Sequence, residues 1–597
     1  MKEQTFTNNK AQKIVKGLLP FIGKYKVHLI ALSVVMIIVG LIDAVFPVLT
    51  KIAIDEFIVP GNMEGIWLFA IAYVGVVIVQ ALSIWLLITI AGKIEMGICY
   101  DMRKQGFAHL QELSFSFYDT NSVGWIMARL TSDVQKLGET ISWGLVDVVW
   151  GGTMMSAVAA AMIIMDIRLA LFTLSVVPLL AIVSVYFQKQ ILAEYRQVRK
   201  VNSLIAGAFN EGISGARTTK TLVTEEANLR DFQVLSSGMR SSSVRAAVFS
   251  AVYLPAVLII GSIGTAIALW AGGEGVIAFG ITYGTLVAFL SYTVQFFEPV
   301  RELARVMAEM QSARAAAERI LRLLDTSPDV KDTSEAVAIY GSTFQPKKEK
   351  WPQISGSITF ENVGFAYKTG EIVLEDFSIH IPAGQSVALV GETGSGKSTI
   401  VNLACRFYEP TSGRVLIDGR DYRELPQIWH QQHLGYVLQS PHLFSGTIMD
   451  NIRYGNLAAS EEQVIEAAKM LGADDIIRAL PEGYRTGVGE SGDMLSAGEK
   501  QLISFARAVL ADPDIFVLDE ATSSIDTETE QMIQKAVEKL LRNRTSFIIA
   551  HRLSTIRRAD RILVIQNGKV IEDGSHDELV NNNGVYANLY NKQFSLV

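Results

Sequence analysis

The residues best suited to chemistry lie in the C-terminal third of the chain. VALVGETGSGKST, 387–399, is an apolar strand-like run, a glycine-rich turn and the start of a helix. Gly391, Gly396, Lys397 and Ser398 fill every required position of a phosphate-binding loop, and Gly394 adds a third glycine. Glycines let backbone N–H groups close around phosphates, and the helix N-terminus adds a favourable dipole. The cradle also takes in Glu392, Thr393, Ser395 and Thr399. Lys397 can bridge the outer phosphates of a nucleotide, and Ser398 can ligate magnesium.

Further on, DIFVLDEATSSID, 514–526, reads as a second apolar strand ending in Asp519-Glu520. Adjacent side chains at a strand end point different ways, which suits two roles. Asp519 belongs in the magnesium shell, and Glu520 faces the γ-phosphate, where it can polarise an attacking water. SFIIAH, 546–551, is a third such strand, and His551 at its end can hold the γ-phosphate and orient water. Gln439, in GYVLQSPHLF, follows another strand-like run and can coordinate magnesium or water. Tyr367, in FAYKTG, precedes the cradle by a short hairpin. Its ring either stacks on adenine or makes an ordinary apolar contact. One polar turn remains, LSAGEKQ at 495–501, just before the helical run KQLISFARAVLA. Ser496 with the N–H groups of Ala497 and Gly498 either binds an anion at a helix N-terminus or simply caps that helix.

These groups need a scaffold, and the rest of the chain dictates its kind. With 597 residues, more than one core is required. Half of the residues are hydrophobic, and the excess sits in the first 300 positions. Runs of about 20 apolar residues cross a bilayer as helices. Such runs fall near 28–49, 66–91, 141–165, 167–188, 247–270 and 276–297. A tight turn is expected around Met165-Asp166-Ile167-Arg168, and another at AGGEG, 271–275. Residues 92–140 and 189–246 are long, charged and helical in character. Their midpoints, 114–126 and 211–226, carry small polar residues that mark turns. Lys24, Lys26, Lys93, Arg103, Lys104, Arg196, Arg199 and Lys200 place those connections, the N-terminus and the C-terminal domain in the cytoplasm. The expected organisation is a membrane domain over 1–325, a loose linker over 326–355 and a nucleotide-binding domain over 356–597. The net charge of −7 argues against a nucleic-acid partner held by bulk electrostatics. Cys99 and Cys405, the two cysteines, imply no disulfide scaffold.

Taken together, these motifs resemble those of the ATP-binding cassette exporters with type I exporter architecture, also called the type IV transporter fold. The likeness covers essentially the whole chain. GETGSGKST matches the Walker A motif, IFVLDE the Walker B motif, and Tyr367 the A-loop aromatic. Gln439 matches the Q-loop, Ser523 to Asp526 the D-loop, and His551 the switch histidine. LSAGE resembles the signature motif, usually Leu-Ser-Gly-Gly-Gln. The resemblance implies an all-α six-helix membrane domain followed by an α/β P-loop domain, in a bacterial cytoplasmic membrane. It implies two half-transporters paired head to tail, with ATP and Mg2+ between one chain's P-loop and the other's Ser496, Ala497, Gly498 and Asp526. Lys397, Gln439, Glu520 and His551 are then the catalytic set, and 114–126 and 211–226 the coupling helices.

Ala497 and Glu499 depart from the signature pattern. In heterodimeric multidrug exporters of this family, such drift accompanies an impaired opposite site, so the expected partner is a different chain with an impaired site. A homodimer is the rival. The expected cargo is a hydrophobic or amphiphilic compound exported by alternating access. Asp43, Asp147 and Glu298 in the membrane region either attract cationic amphiphiles or tie helices together. Trp143, Trp150, Phe296 and Phe297 either line a cavity or face lipid. A lipid or glycolipid flippase is the alternative cargo reading, and a membrane ATPase without transport is the reading from another class.

Overall fold

A computed structural model describes residues 8–278, 280–368, 370–520, 527–542, 544–550 and 553–594. The chain forms two compact units: Met1–Gln111 with Val123–Thr326, and Glu112–Ser122 with Ser327–Val597.

The first unit is helical. Among the described residues, five helices are long and apolar enough to cross a membrane: Lys26–Ile58, Ile66–Glu112, Val123–Met165, Ile167–Ser214 and Glu225–Ile277. Each runs well beyond the expected crossing, because the polar stretches before or after it also favour helix. The turn at Asp166 is where the sequence places it: its backbone is extended, and its carboxylate accepts from Leu169 N at 2.9 Å, capping the next helix.

Two expectations are corrected. AGGEG is not a turn: the helix Glu225–Ala278 runs through it, since packed membrane helices tolerate glycine. The chain instead turns between that helix and Tyr283–Leu324, with Gly280 at φ +73° and Thr282 capping the new helix through Thr285 N. This turn divides the expected sixth crossing, 276–297, and the helix Tyr283–Leu324 that follows is not among the five.

Ionisable groups in this unit are tied between helices. The Asp43 carboxylate accepts from Gln80 Nε2 at 2.6 Å and Trp150 Nε1 at 2.8 Å. Glu95 accepts from Gln135 Nε2 at 2.8 Å and Trp143 Nε1 at 2.9 Å. Arg305 reaches Asp147 at 2.7 Å. Asp147 and Asp43 thus tie helices together, and both tryptophans donate to carboxylates. Phe296 is buried with Phe289 and Tyr292. The opposite faces are apolar and exposed, as at Leu68, Ile71, Ile78, Leu82 and Trp85, the kind of surface that lipid covers.

The second unit is built on a six-stranded sheet. Its spatial order is Lys569–Gly574, Arg561–Gln566, Ser386–Val390, Thr545–Ala550, Ile515–Glu520, Leu434–Val437. All neighbours pair in parallel except the first two, which are antiparallel. The central strands are unbroken apolar runs because both faces are covered. Val387 and Leu389 pack into one core and Ala388 into the other. A four-stranded sheet, Ile372–Ile381, Ile358–Ala366, Ser412–Ile417, Arg420–Asp421, covers one face. Helices, among them Ala497–Ala511 and Thr527–Leu541, cover the other.

The linker is ordered rather than loose. Thr333 caps a helix over Ser334–Tyr340, and Gly341–Ser342 pairs with Gln345–Pro346. The reason lies in Arg406, which is fully buried. Its guanidinium donates to the carbonyls of Tyr422 (3.0 Å), Leu425 (2.7 Å) and Lys331 (3.3 Å), and pairs with Asp332 and Glu409. A buried cation without such partners is costly, so Lys331-Asp332 is held in place.

Candidate functional site

Parallel strands bring the sequence motifs to one edge. Ser386–Val390, Thr545–Ala550, Ile515–Glu520 and Leu434–Val437 all end on the same side, where open α/β sheets bind ligands. The strand Ser386–Val390 feeds the glycine-rich loop directly. Asp519 and Glu520 end the strand Ile515–Glu520, in register with Ile549 and Ala550. Gln439 follows Val437 by two positions and is exposed. His551 follows Ala550 but lies outside the described residues, as does Asp526.

The loop is held open by its glycines. A Cβ on Gly391 would collide with the Ile565 carbonyl, so only glycine fits against that strand. Gly396 caps the helix Lys397–Ala404 at φ +105°, a conformation costly for any side chain. Nothing lies within 4 Å of where a side chain on Gly394 would begin. Lys397 is buried, and its ammonium donates to the carbonyls of Gly391 (2.8 Å) and Glu392 (2.7 Å). Burial pushes its pKa down, and the nearby Asp519 carboxylate opposes that shift. A buried cation held by neutral oxygen atoms, in a loop of open backbone, suits a polyphosphate. Ser398, exposed at the helix start, and Asp519 supply hard oxygen donors nearby. Among the described residues no group of three His, Cys, Asp or Glu side chains gathers.

Tyr367 lies in the hairpin between Ile358–Ala366 and Ile372–Ile381. Its N–H donates to Glu371 O at 3.0 Å, and its hydroxyl lies 3.0 Å from Thr399 Oγ1. Its ring stands edge-on to Phe365 and Tyr408, with centroids 4.9 and 5.5 Å apart.

The polar turn at 495–501 has a definite geometry. Ser496 is extended, at φ −65° and ψ 160°, and caps the helix Ala497–Ala511. Glu499 folds back over it: Oε2 accepts from Ser496 N at 2.7 Å and from Ser496 Oγ at 2.9 Å. Ser496 Oγ accepts in turn from Glu499 N at 3.3 Å. This is a capping box. Ala497 is the first helical residue, so its methyl needs no left-handed backbone. Farther from the sheet edge, Arg507 of the same helix donates to Asn451 O and His442 O, at 2.9 and 3.1 Å. It thereby ties the segment after Gln439 to this helix.

Several residues with no motif of their own join the site's surroundings. Asp329 accepts from Lys368 at 2.6 Å and from the Ser116 hydroxyl, and Tyr408 donates to Asp119. Burial, and then the neighbouring Asp119, raise the Tyr408 phenol well above the ordinary tyrosine range, so it donates as a neutral hydroxyl. Only the position of Lys368 beside Tyr367 could have drawn notice in the sequence.

Comparison with known proteins agrees with this arrangement. Residues 29–300 match the family described as "ABC transporter transmembrane region", and residues 374–523 match "ABC transporter". The chain is 37% identical over 580 residues to an "Uncharacterized ABC transporter ATP-binding protein YknV" of Bacillus subtilis, covering 97% of this chain and 94% of that one. It is 33% identical over 593 residues to an "ATP-dependent lipid A-core flippase" of Syntrophus aciditrophicus, covering 99% and 96%. A solved structure, "Structure of a bacterial Atm1-family ABC exporter with ATP bound", matches at a TM-score of 0.77 and 27% identity, over 96% of this chain and 98% of that one.

Proposed function

The chain belongs to the ATP-binding cassette transporter family, as a multi-pass membrane protein whose α/β domain binds ATP with Mg2+ and hydrolyses it, and from that premise we propose that it works as a pair of identical copies moving a lipid-like amphiphile across the membrane. In this reading the helix starting at Tyr283 supplies a sixth crossing.

The observation that carries the pairing is the geometry at Ser496. An impaired opposite site would rest on Ala497 and Glu499. Yet Ala497 begins a regular helix, and Glu499 completes a capping box of the kind glutamine also forms. The turn is built as a sound helix start, so no second, different chain is required to explain it.

The cargo reading rests on two supports. The full-length relative from Syntrophus aciditrophicus is named for lipid A-core flipping. Two of the three acids that would favour a cationic cargo are engaged, Asp43 by Gln80 and Trp150 and Asp147 by Arg305. Hydrophobic drugs remain the second reading, because the same membrane unit presents broad apolar faces.

Each residue then has a task. The 391–399 loop binds the phosphates, and Lys397 neutralises their charge. Ser398, Gln439 and Asp519 hold magnesium. Glu520 takes the proton of the attacking water, and His551 steadies the γ-phosphate. Ser496, Ala497, Gly498 and Asp526 complete the site opposite. Glu520→Gln tests the assignment: turnover should fall by about a thousandfold, within the range lost when a key catalytic group is removed, while nucleotide binding persists. ATPase activity close to that of the parent would exclude Glu520 as the base.

A further inference from the structure

We propose that Tyr408 and Asp119 form a positioning pair through which the Tyr367 hairpin holds the turn at residues 114–120, so that this turn responds to the adenine end of the nucleotide. The inference rests on reading Tyr367 as the base-stacking residue, and it concerns a single compact unit, since residues 112–122 pack with 327–597.

Two independent links join the hairpin to the turn. The first runs through rings. Tyr367 stands edge-on to Tyr408, with an interplanar angle of 84°, and the Tyr408 hydroxyl donates to the Asp119 carboxylate. The second runs through charge. Lys368, the next residue after Tyr367, donates to Asp329 at 2.6 Å. Asp329 also accepts from the Ser116 hydroxyl, and its N–H donates to Ser114 Oγ at 3.0 Å. Phe115 seals the contact, with its ring centroid 4.2 Å from that of Phe407.

The base of the hairpin is braced where Gly370 N donates to Tyr367 O at 2.8 Å and Tyr367 N to Glu371 O at 3.0 Å. Between hairpin and turn lies a cavity of about 150 Å³, lined by Ser116, Asp329, Tyr367, Lys368, Phe407 and Tyr408. The space opens to the surface, and it gives the rings room to reorient. A base stacked on Tyr367 restricts that ring. Tyr408 is restricted with it, and the hydrogen bond to Asp119 passes the restraint to the turn. Neither Tyr408 nor Asp119 belongs to the phosphate cradle. The turn therefore reads the base, while Gln439 reads the phosphate end.

Hydrogen–deuterium exchange on the full chain in lipid nanodiscs, carrying Glu520→Gln to prevent turnover, tests this. Mg-ATP and Mg-tripolyphosphate are the two probes. In the parent, exchange over 112–122 should slow about tenfold with Mg-ATP and not with tripolyphosphate, the size expected when a local opening loses one charge-assisted hydrogen bond. Exchange over 391–399 should slow with both. Tyr408→Phe and Asp119→Ala, each of which removes one partner of the hydrogen bond, should each abolish the ATP-specific slowing at 112–122 and preserve the slowing at 391–399. Persistence of the ATP-specific slowing in both variants overturns the proposal, as does equal slowing by tripolyphosphate. Tyr367→Leu separates the two layers. If it keeps the ATP-specific slowing, the base-stacking reading fails as well. If it loses the slowing while Tyr408→Phe and Asp119→Ala keep it, only the positioning pair fails.

Discussion

Glu499 illustrates how a single side chain alters a functional conclusion. Its carboxylate caps the helix that begins at Ala497, using both the N–H and the hydroxyl of Ser496. Glu499→Gln should preserve the cap, whereas Glu499→Ala should cost about 1 kcal/mol of stability. Thermal unfolding of the two variants checks this, and equal losses would show that the charge matters and the cap does not. Gly391 makes a second residue-scale prediction. A methyl there meets the Ile565 carbonyl, so Gly391→Ala should distort the cradle. The rise in melting temperature that saturating Mg-ATP gives the parent, a linkage effect of about 3 kcal/mol at a hundredfold excess over Kd, should vanish in the variant. His430 makes a third. It is buried, its Nε2 lies 2.8 Å from Ala404 O, and burial pushes its pKa down to about 4. The folded form keeps the ring neutral, so stability is full above the ordinary histidine range, near pH 6.5, and drains away as pH falls towards 4. His430→Gln retains an amide donor and cannot titrate. Its stability should be flatter with pH across that window, and an unchanged slope would exclude His430 as the source.

At the scale of elements, legibility followed spacing. The cradle, the strand ending in Asp519-Glu520 and the turn at Asp166 were readable because local backbone chemistry determines each. AGGEG misled because glycine signals a turn in water, while in a packed membrane helix it is tolerated. The linker misled for a different reason. Its order comes from Arg406, some 75 positions from Lys331, and no local pattern carries that information. Asp329 and Asp119 were invisible likewise, since their partners are distant in sequence. The Asp329 tether also makes a prediction. Burial raises its pKa, but hydrogen bonds from Lys368 and Ser116 outweigh that and leave it below the ordinary aspartate range. The tether is therefore intact above about pH 4 and is lost as pH falls through the lowered value. Protection from exchange over 112–122, taken relative to the intrinsic amide rate at each pH, should fall on acidification in the parent, and Asp329→Asn should remove that fall.

The whole molecule joins an ATP-hydrolysing unit to a helical membrane unit in which Asp43, Glu95 and Asp147 tie helices together. Asp43→Asn keeps an acceptor for Trp150 or Gln80, so transport should stay within about threefold of the parent, the loss expected when one hydrogen bond weakens. Abolished transport would restore Asp43 as a cargo-binding acid. The central claim is that this chain suffices, paired with itself, to move lipid at the expense of ATP. The direct measurement is translocation of a fluorescent phospholipid in proteoliposomes containing only this chain, read by protection from dithionite bleaching. Mg-ATP should produce translocation in the parent and none in Glu520→Gln. Active ATP hydrolysis without lipid movement, or no hydrolysis until a second, different chain is added, would contradict it.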